Sequence, residues 1–157
     1  MNQGRLFTVK QEEYTSDDYW TPKWIFDALA VEFDLDVASP PEGPTHTPCK
    51  NFYDQESDGL ISEWTGSVFM NPPYSKATPW VKKFMLHQNG IALVPMAKSQ
   101  WFNELWDDAE AIVVLSWRMV FEHPDHLKGS IFLPAMLAAY GQTNIEALHN
   151  SKIGRVR

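Results

Sequence analysis

Three short apolar runs, separated by polar segments with helical spacing, constrain the fold of this chain most. The runs are 68–70, 91–94 and 111–115, and none of them contains a charged residue. Unbroken runs of this length are typical of parallel strands that are buried on both faces of a sheet. The segments between them predict helices at about 78–87 and 99–108. Strands that alternate with helices predict an α/β fold, with a mostly parallel sheet flanked by helices.

The N-terminal part predicts one helix and one strand ahead of these runs. Residues 1–18 are polar and acidic without usable periodicity, and we expect a flexible lead-in there. Thr21 followed by Pro22 predicts a helix start, with Thr21 as the N-cap and Pro22 in the first turn. Its apolar face should consist of Trp24, Ile25, Ala28 and Leu29. In residues 33–37 apolar side chains alternate with aspartates, which predicts a strand.

The remaining segments predict a long loop and an antiparallel edge of the sheet. Residues 40–59 are rich in Pro, Gly, Thr, Asp and Asn, and a loop of this length is uncommon in a compact domain unless it is functional. Segments 118–122 and 130–140 predict two strands, the second interrupted by Pro134. Because no helix joins them, they should form an antiparallel pair at the edge. We expect residues 19–157 to form a single domain.

Composition and charge exclude several classes of protein. The formal net charge of −7 argues against a broad basic surface for nucleic acid, although it permits local contacts. No apolar run approaches 18 residues and the N-terminus has no apolar signal core, so we expect a cytoplasmic protein without a membrane partner. A lone cysteine, Cys49, excludes an internal disulfide. His123 and His126 flank Pro124 and have no evident further ligands, so no metal is expected.

The tetrapeptide Asn71-Pro72-Pro73-Tyr74 directly follows the run 68–70, where open α/β sheets place their chemistry. A strand-terminating turn would explain its prolines but not its Asn and Tyr. An alternative to a turn is that the tetrapeptide activates an amine. The exocyclic amine of adenine, for example, is a poor nucleophile because its lone pair is delocalised into the ring. The side-chain carbonyl of Asn71 and the backbone carbonyl of Pro72 are two acceptors that could localise this lone pair. Tyr74 offers a flat face on which a base could stack.

With this tetrapeptide the sequence resembles the S-adenosylmethionine-dependent amino-methyltransferases, whose motif reads Asp/Asn/Ser-Pro-Pro-Tyr/Phe. Over about residues 19–141 it resembles the small phage-encoded Dam-like DNA N6-adenine methyltransferases. The matching pieces occur in the family's order: Tyr19-Trp20-Thr21-Pro22, residues 33–38, Asp58-Gly59-Leu60 with Trp64, residues 69–75, Trp101-Phe102, and Arg118 with Phe121. The resemblance implies a Rossmann-like class I methyltransferase fold, S-adenosylmethionine as the cofactor and DNA as the substrate; if phage-encoded, the protein would act in the host cytoplasm.

The resemblance also implies which residues form the site. The catalytic residues would be Asn71, Pro72, Pro73 and Tyr74. The cofactor would lie among Trp20, Thr21, Pro22, Asp36, Ala38, Asp58 and Asn71, with Asp36 toward the methionine ammonium group and Asp58 toward the adenosine end. DNA would be contacted by Ser75, Lys76, Lys82, Lys83 and Arg118.

Two departures from the family pattern affect these expectations. Most adenosylmethionine enzymes carry a Gly-rich loop after the first strand, whereas here no glycine follows until Gly43. We also expect this sequence to lack the target-recognition domain of larger relatives, so its sequence specificity should be short or loose.

Three functions remain open from the sequence. We favour methyl transfer to N6 of adenine in DNA, in which the base would be flipped out of the duplex. The same fold could instead methylate RNA adenine or the amide of a protein glutamine, which presents the same two hydrogens. A catalytically silent, methyltransferase-like binding module is the third interpretation. The sequence does not specify the oligomeric state.

Overall fold

The computed structural model describes residues 20–115, 120–121, 131–132 and 134–157, which form a central sheet between two helical layers. The predicted lead-in, residues 1–18, and the side chain of Arg118 lie outside the described residues. The helices are α1 (Lys23–Leu29), α2 (Ala77–His87), α3 (Gln100–Asp108) and α4 (Gln142–Ser151). The strands are β1 (Phe33–Asp36), β2 (Cys49–Phe52), β3 (Val68–Met70), β4 (Gly90–Pro95), β5 (Ala111–Leu115), β6 (Val120–Phe121), β7 (Ile131–Phe132) and β8 (Ala135–Tyr140).

The main sheet has six strands in the order β2-β1-β3-β4-β8-β5. Strands β2, β1, β3 and β4 are parallel, whereas β8 is antiparallel to both β4 and β5. The predicted α/β class is therefore confirmed, including a mostly parallel sheet with an antiparallel pair at its edge. The order and the flanking helices are those expected of a Rossmann-like methyltransferase.

Each face of the sheet is covered by two helices, which explains the unbroken apolar runs. On one face, Ala92 and Val94 of β4 belong to a core cluster with residues of α2 and α3. On the other, Ile91 and Leu93 pack with residues of α1 and α4. All four side chains are fully buried, so successive residues of β4 must be apolar whichever face they point to.

The start of α1 differs from the prediction. The helix begins at Lys23, its N-cap is Pro22, and no side chain caps it. The prediction that Thr21 is the N-cap is therefore wrong, because the Thr21 hydroxyl is hydrogen-bonded elsewhere. The predicted apolar face is also rotated: Phe26 is buried, whereas Trp24 is 36% exposed.

Three further elements differ from the sequence-based expectation. The segment predicted as a loop, 40–59, contains the edge strand β2. The last three residues of β2 are exposed, so this strand lacks the apolar pattern that would have predicted it. Helix α4 was not expected. The two-residue strands β6 and β7 pair with each other in a separate small sheet, so the antiparallel pair at the edge of the main sheet is formed by β8 and β5.

Candidate active site

A cavity of about 800 Å³ opens at the carboxyl ends of β1 and β3. From β1 the chain continues to β2 on one side, and from β3 it continues to β4 on the other, so this is the point where the strand order reverses. Ligands of open α/β sheets bind at this position. The volume lies within the roughly 300–1,000 Å³ common for small-molecule and cofactor sites.

The register of β1 and β3 brings the predicted residues together. Asp36 lies opposite Phe69, and the Val37 amide donates to the Phe69 carbonyl at 3.1 Å. The two strands therefore end side by side. Ala38 and Asn71, which follow them, both line the cavity.

Asn71 is held by a hydrogen bond from its side-chain amide to the Thr21 hydroxyl, with 3.0 Å between Nδ2 and Oγ1. Thr21 is 7% exposed and also lines the cavity. This bond uses one of the two N–H donors of Asn71 and orients the amide, and the acceptor that the side chain offers to a ligand is its carbonyl oxygen. Pro73 lines the cavity and Pro72 is buried. The Pro73 carbonyl accepts from the Lys76 amide at 3.0 Å, so it is used within the protein.

Tyr74 does not line the cavity in this conformation. Its side chain packs against the core cluster beneath α1 and α4, and its hydroxyl oxygen is buried. Burial raises the pKa of the phenol above its usual range. The ring would have to rotate out of this position to stack on a base in the cavity, so the stacking role predicted from the sequence stays a prediction.

Asp36 is a buried carboxyl group at the inner end of the cavity, 3% exposed. Burial raises its pKa to about 6, although hydrogen bonds from the Thr47 side chain and the Ala38 amide oppose this rise. The Ala38 nitrogen lies 3.2 Å from Oδ1. A carboxylate that has two donors, and no cation beside it among the described residues, is suited to a positively charged ligand group.

Asp58 also lines the cavity, and it lies in a tight turn. Its backbone is left-handed, with φ of 50°, and its Oδ1 accepts from the Leu60 amide at 3.0 Å. Gly59 and Trp80 line the cavity beside it. Six of the seven residues predicted to surround the cofactor line the cavity; the seventh, Pro22, is buried at the start of α1. The six are Trp20, Thr21, Asp36, Ala38, Asp58 and Asn71.

The residues predicted to contact DNA separate into three groups. Ser75 and Lys76 are exposed and line the cavity, and Lys82 is exposed on α2. The Lys83 ammonium instead donates to three backbone carbonyls within the protein, so its predicted phosphate contact stays a prediction. Arg118 lies outside the described residues.

Several cavity residues were not expected from the sequence individually. They come mainly from the proline-rich loop after β1, and include Pro40, Pro41, Pro44, His46 and Thr47. The composition of residues 40–59 was the available signal, since it indicated a functional loop without identifying its contacts.

Cys49 lies on β2, and burial raises the pKa of its thiol to about 11.

The described residues contain neither a cluster of metal-ligating side chains nor a membrane-spanning helix. Within residues 20–115, 120–121, 131–132 and 134–157, no group of three or more His, Cys, Asp or Glu side chains is arranged to hold a metal ion. In the same part of the chain, no helix is long and apolar enough to cross a membrane.

Comparison with known proteins identifies the family. The family model described as DNA N-6-adenine-methyltransferase (Dam) matches residues 8–140. A DNA N-6-adenine-methyltransferase of Escherichia phage T1 is 38% identical over an alignment of 122 residues, and the alignment covers 70% of this chain and 50% of the relative. The chain thus spans about half the length of that relative. No solved structure matches this chain significantly. The cavity at the end of β3 and the family match agree with the resemblance of the tetrapeptide, and the chain belongs to the Dam family of DNA N-6-adenine-methyltransferases.

Proposed function

We propose that this protein transfers a methyl group from S-adenosylmethionine to the N6 amine of adenine in DNA, in the host cytoplasm. The observation that carries the proposal is the placement of Asn71 and Asp36 on one cavity. An acceptor for an amine lies at the end of β3, and a buried acceptor for a cation lies at the end of β1. One group would position the amine and the other would bind the cofactor that supplies the methyl group.

The residues around the cavity fit the cofactor. The buried Asp36 carboxylate suits its methionine ammonium group, and the Trp80 side chain supplies an apolar wall for its adenosine. The backbone of Gly59 approaches β1 so closely that a Cβ atom there would lie 2.0 Å from the Val37 carbonyl oxygen and 3.1 Å from Trp80. When bound, S-adenosylmethionine supplies a methyl group already activated by its sulfonium sulfur.

Because the methyl group is activated, this chain needs to position the amine and strengthen its lone pair rather than supply a strong base. The Asn71 carbonyl would accept from one amine hydrogen and pull the nitrogen toward tetrahedral geometry. The Pro72 carbonyl would be the second acceptor. Thr21, by holding the Asn71 NH₂ group, sets which end of the amide faces the substrate.

Two exposed lysines, one lining the cavity and one on α2, support the substrate assignment. Lys76 lines the cavity and Lys82 is exposed on α2. They would give DNA local phosphate contacts on a chain whose net charge is −7. An adenine within a duplex would have to be flipped out to reach Asn71.

Expression in cells that lack their own adenine methylation tests the proposal. Genomic DNA is digested and N6-methyladenine is quantified by mass spectrometry, with Asn71→Ala as the control. We expect methylated adenine with the parent protein and none with the variant. Absence of methylated adenine, although the purified protein binds S-adenosylmethionine, would reject DNA as the substrate and direct attention to RNA adenine or a protein glutamine.

A further inference from the structure

Lys83 is turned into the protein, although it is a lysine on a surface helix. Its Nζ lies 3.0 Å from the Gly59 carbonyl oxygen, 2.8 Å from that of Leu60 and 2.5 Å from that of Ser62. An ammonium group has three hydrogens to donate, and three carbonyl oxygens surround this one. All three acceptors belong to a single turn, residues 58–62.

Trp64 completes this arrangement. The Lys83 ammonium lies 4.9 Å from the centre of the Trp64 ring, within cation–π distance. The indole nitrogen of Trp64 also donates to the Gly59 carbonyl, at 2.7 Å. Trp64 is 7% exposed, so the indole ring is a fixed part of the core. We call Lys83 and Trp64 together the turn clamp.

The clamped turn forms a wall of the cavity. Asp58 and Gly59 both line it, and Asp58 is held in a left-handed conformation that residues other than glycine rarely adopt. Gly59 is pressed against the Val37 carbonyl at the end of β1. Small movements of this turn would therefore change the shape of the cavity directly.

Helix α2 connects the clamp to the catalytic tetrapeptide. It begins at Ala77, three residues after Tyr74, and carries both Trp80, which lines the cavity, and Lys83 one turn later. Its neighbour Lys82 is exposed. Two adjacent lysines thus have different environments, one enclosed by carbonyls and one in solvent.

We propose that Lys83 is a positioning residue for cofactor binding: its ammonium group holds the 58–62 turn in the shape that the cofactor requires, and it does not contact DNA. The inference rests on the proposed function, since the cofactor is taken to be S-adenosylmethionine. Loss of the ammonium should weaken cofactor binding and leave the phosphate contacts unchanged.

The test compares Lys83→Met with Lys82→Met. Methionine keeps an apolar stem against Trp64 and removes the three donors. We expect Lys83→Met to weaken S-adenosylmethionine binding, measured by calorimetry without DNA, by about 10- to 100-fold. Lys82→Met should bind the cofactor like the parent. The dependence of DNA binding on salt should show the reverse: a slope reduced by about one for Lys82→Met and unchanged for Lys83→Met.

Hydrogen exchange provides a second measurement that does not need the cofactor. The Ile61 and Ser62 amides both donate to the Asp58 carbonyl within the turn. We expect these amides to exchange faster in Lys83→Met and at the parental rate in Lys82→Met. If thermal unfolding assays show that Lys83→Met does not fold, Lys83→Arg replaces it in the test. A planar guanidinium cannot place one nitrogen among three carbonyls, so we expect Lys83→Arg to weaken cofactor binding as well.

The outcomes separate this inference from the proposed function. Parental cofactor affinity in the folded Lys83 variant, or a reduced salt slope for DNA, would overturn the positioning role while the methyltransferase function stands. A parent protein that does not bind S-adenosylmethionine at all would overturn both.

Discussion

The Thr21 hydroxyl accepts a hydrogen bond from the Asn71 side-chain amide at 3.0 Å, although the two residues are 50 positions apart in the sequence. Thr21 lies in the segment that enters α1, and Asn71 lies at the end of β3. The bond joins two elements on neighbouring sides of the cavity. It also gives a physical reason for a threonine directly before Pro22 other than helix capping.

Removal of the Thr21 hydroxyl should therefore impair catalysis. We expect Thr21→Val, which has nearly the same shape, to lower the single-turnover methylation rate about fivefold, because a neutral hydrogen bond contributes about 1 kcal/mol. Thr21→Ser restores the hydroxyl and should retain most of the parental rate. Equal rates for the two variants would show that Thr21 acts by packing alone.

Asn71→Ala should reduce methyl transfer far more than cofactor binding. It removes an acceptor aimed at the amine, and loss of one positioned group of this kind costs about 10²–10³ in rate. Cofactor affinity should stay within several-fold of the parent, because Asp36 and the clamped turn are unchanged. Single-turnover assays and calorimetry measure the two quantities, and a near-parental rate would remove Asn71 from catalysis.

The sequence predicted the cavity because its two principal residues end buried strands. Asp36 ends the alternating segment that predicts β1, Asn71 follows the apolar run that predicts β3, and neighbouring parallel strands present their carboxyl ends at one edge of the sheet. The strand β4 was equally predictable, since burial on both faces requires every residue in it to be apolar.

The features that sequence reasoning did not predict depend on contacts between residues far apart in the chain. Lys83 looks like any helix lysine, and its three acceptors lie 21 to 24 positions away in an irregular turn. Helix α4 is mostly polar; its buried Asn144 donates to the Asn89 side chain and accepts from the Ser67 hydroxyl. The orientation of the Tyr74 ring depends on its surroundings, which the tetrapeptide alone does not encode.

Tyr74 should tolerate loss of its hydroxyl better than loss of its ring. Tyr74→Phe keeps the packing against the core and the face for a base, so we expect a mild effect on activity. Tyr74→Ala should lower activity severely and also destabilise the protein, by about 3 kcal/mol or more, as is usual when a packed aromatic ring is truncated. Denaturant unfolding beside activity assays separates the two losses. Comparable activity losses in both variants would point to a role for the hydroxyl.

The buried Asp36 carboxylate, which is proposed to bind the cofactor, should make the protein less stable at neutral pH. Its pKa is about 6 when folded, above the 3.8 of an ordinary aspartate, because its burial disfavours the charged form. The folded state thus binds the proton more tightly than the unfolded state does. The protonated Asp36 carboxyl therefore contributes roughly 2–3 kcal/mol to the free energy of unfolding. This stabilisation is complete below about pH 4 and is lost as the pH rises through about 6.

Asp36→Asn removes this titration and tests the assignment. We expect the variant to unfold at a higher temperature than the parent at pH 7.5, with the difference shrinking at pH 4.5. Its affinity for S-adenosylmethionine should be lower than the parent's at pH 7.5, and it should lack the parent's gain in affinity as the pH rises through about 6, where the Asp36 carboxylate forms. Thermal unfolding and calorimetry at several pH values measure both effects. A variant that is less stable than the parent at pH 7.5 yet binds the cofactor equally well would show that Asp36 serves the fold and not the ligand.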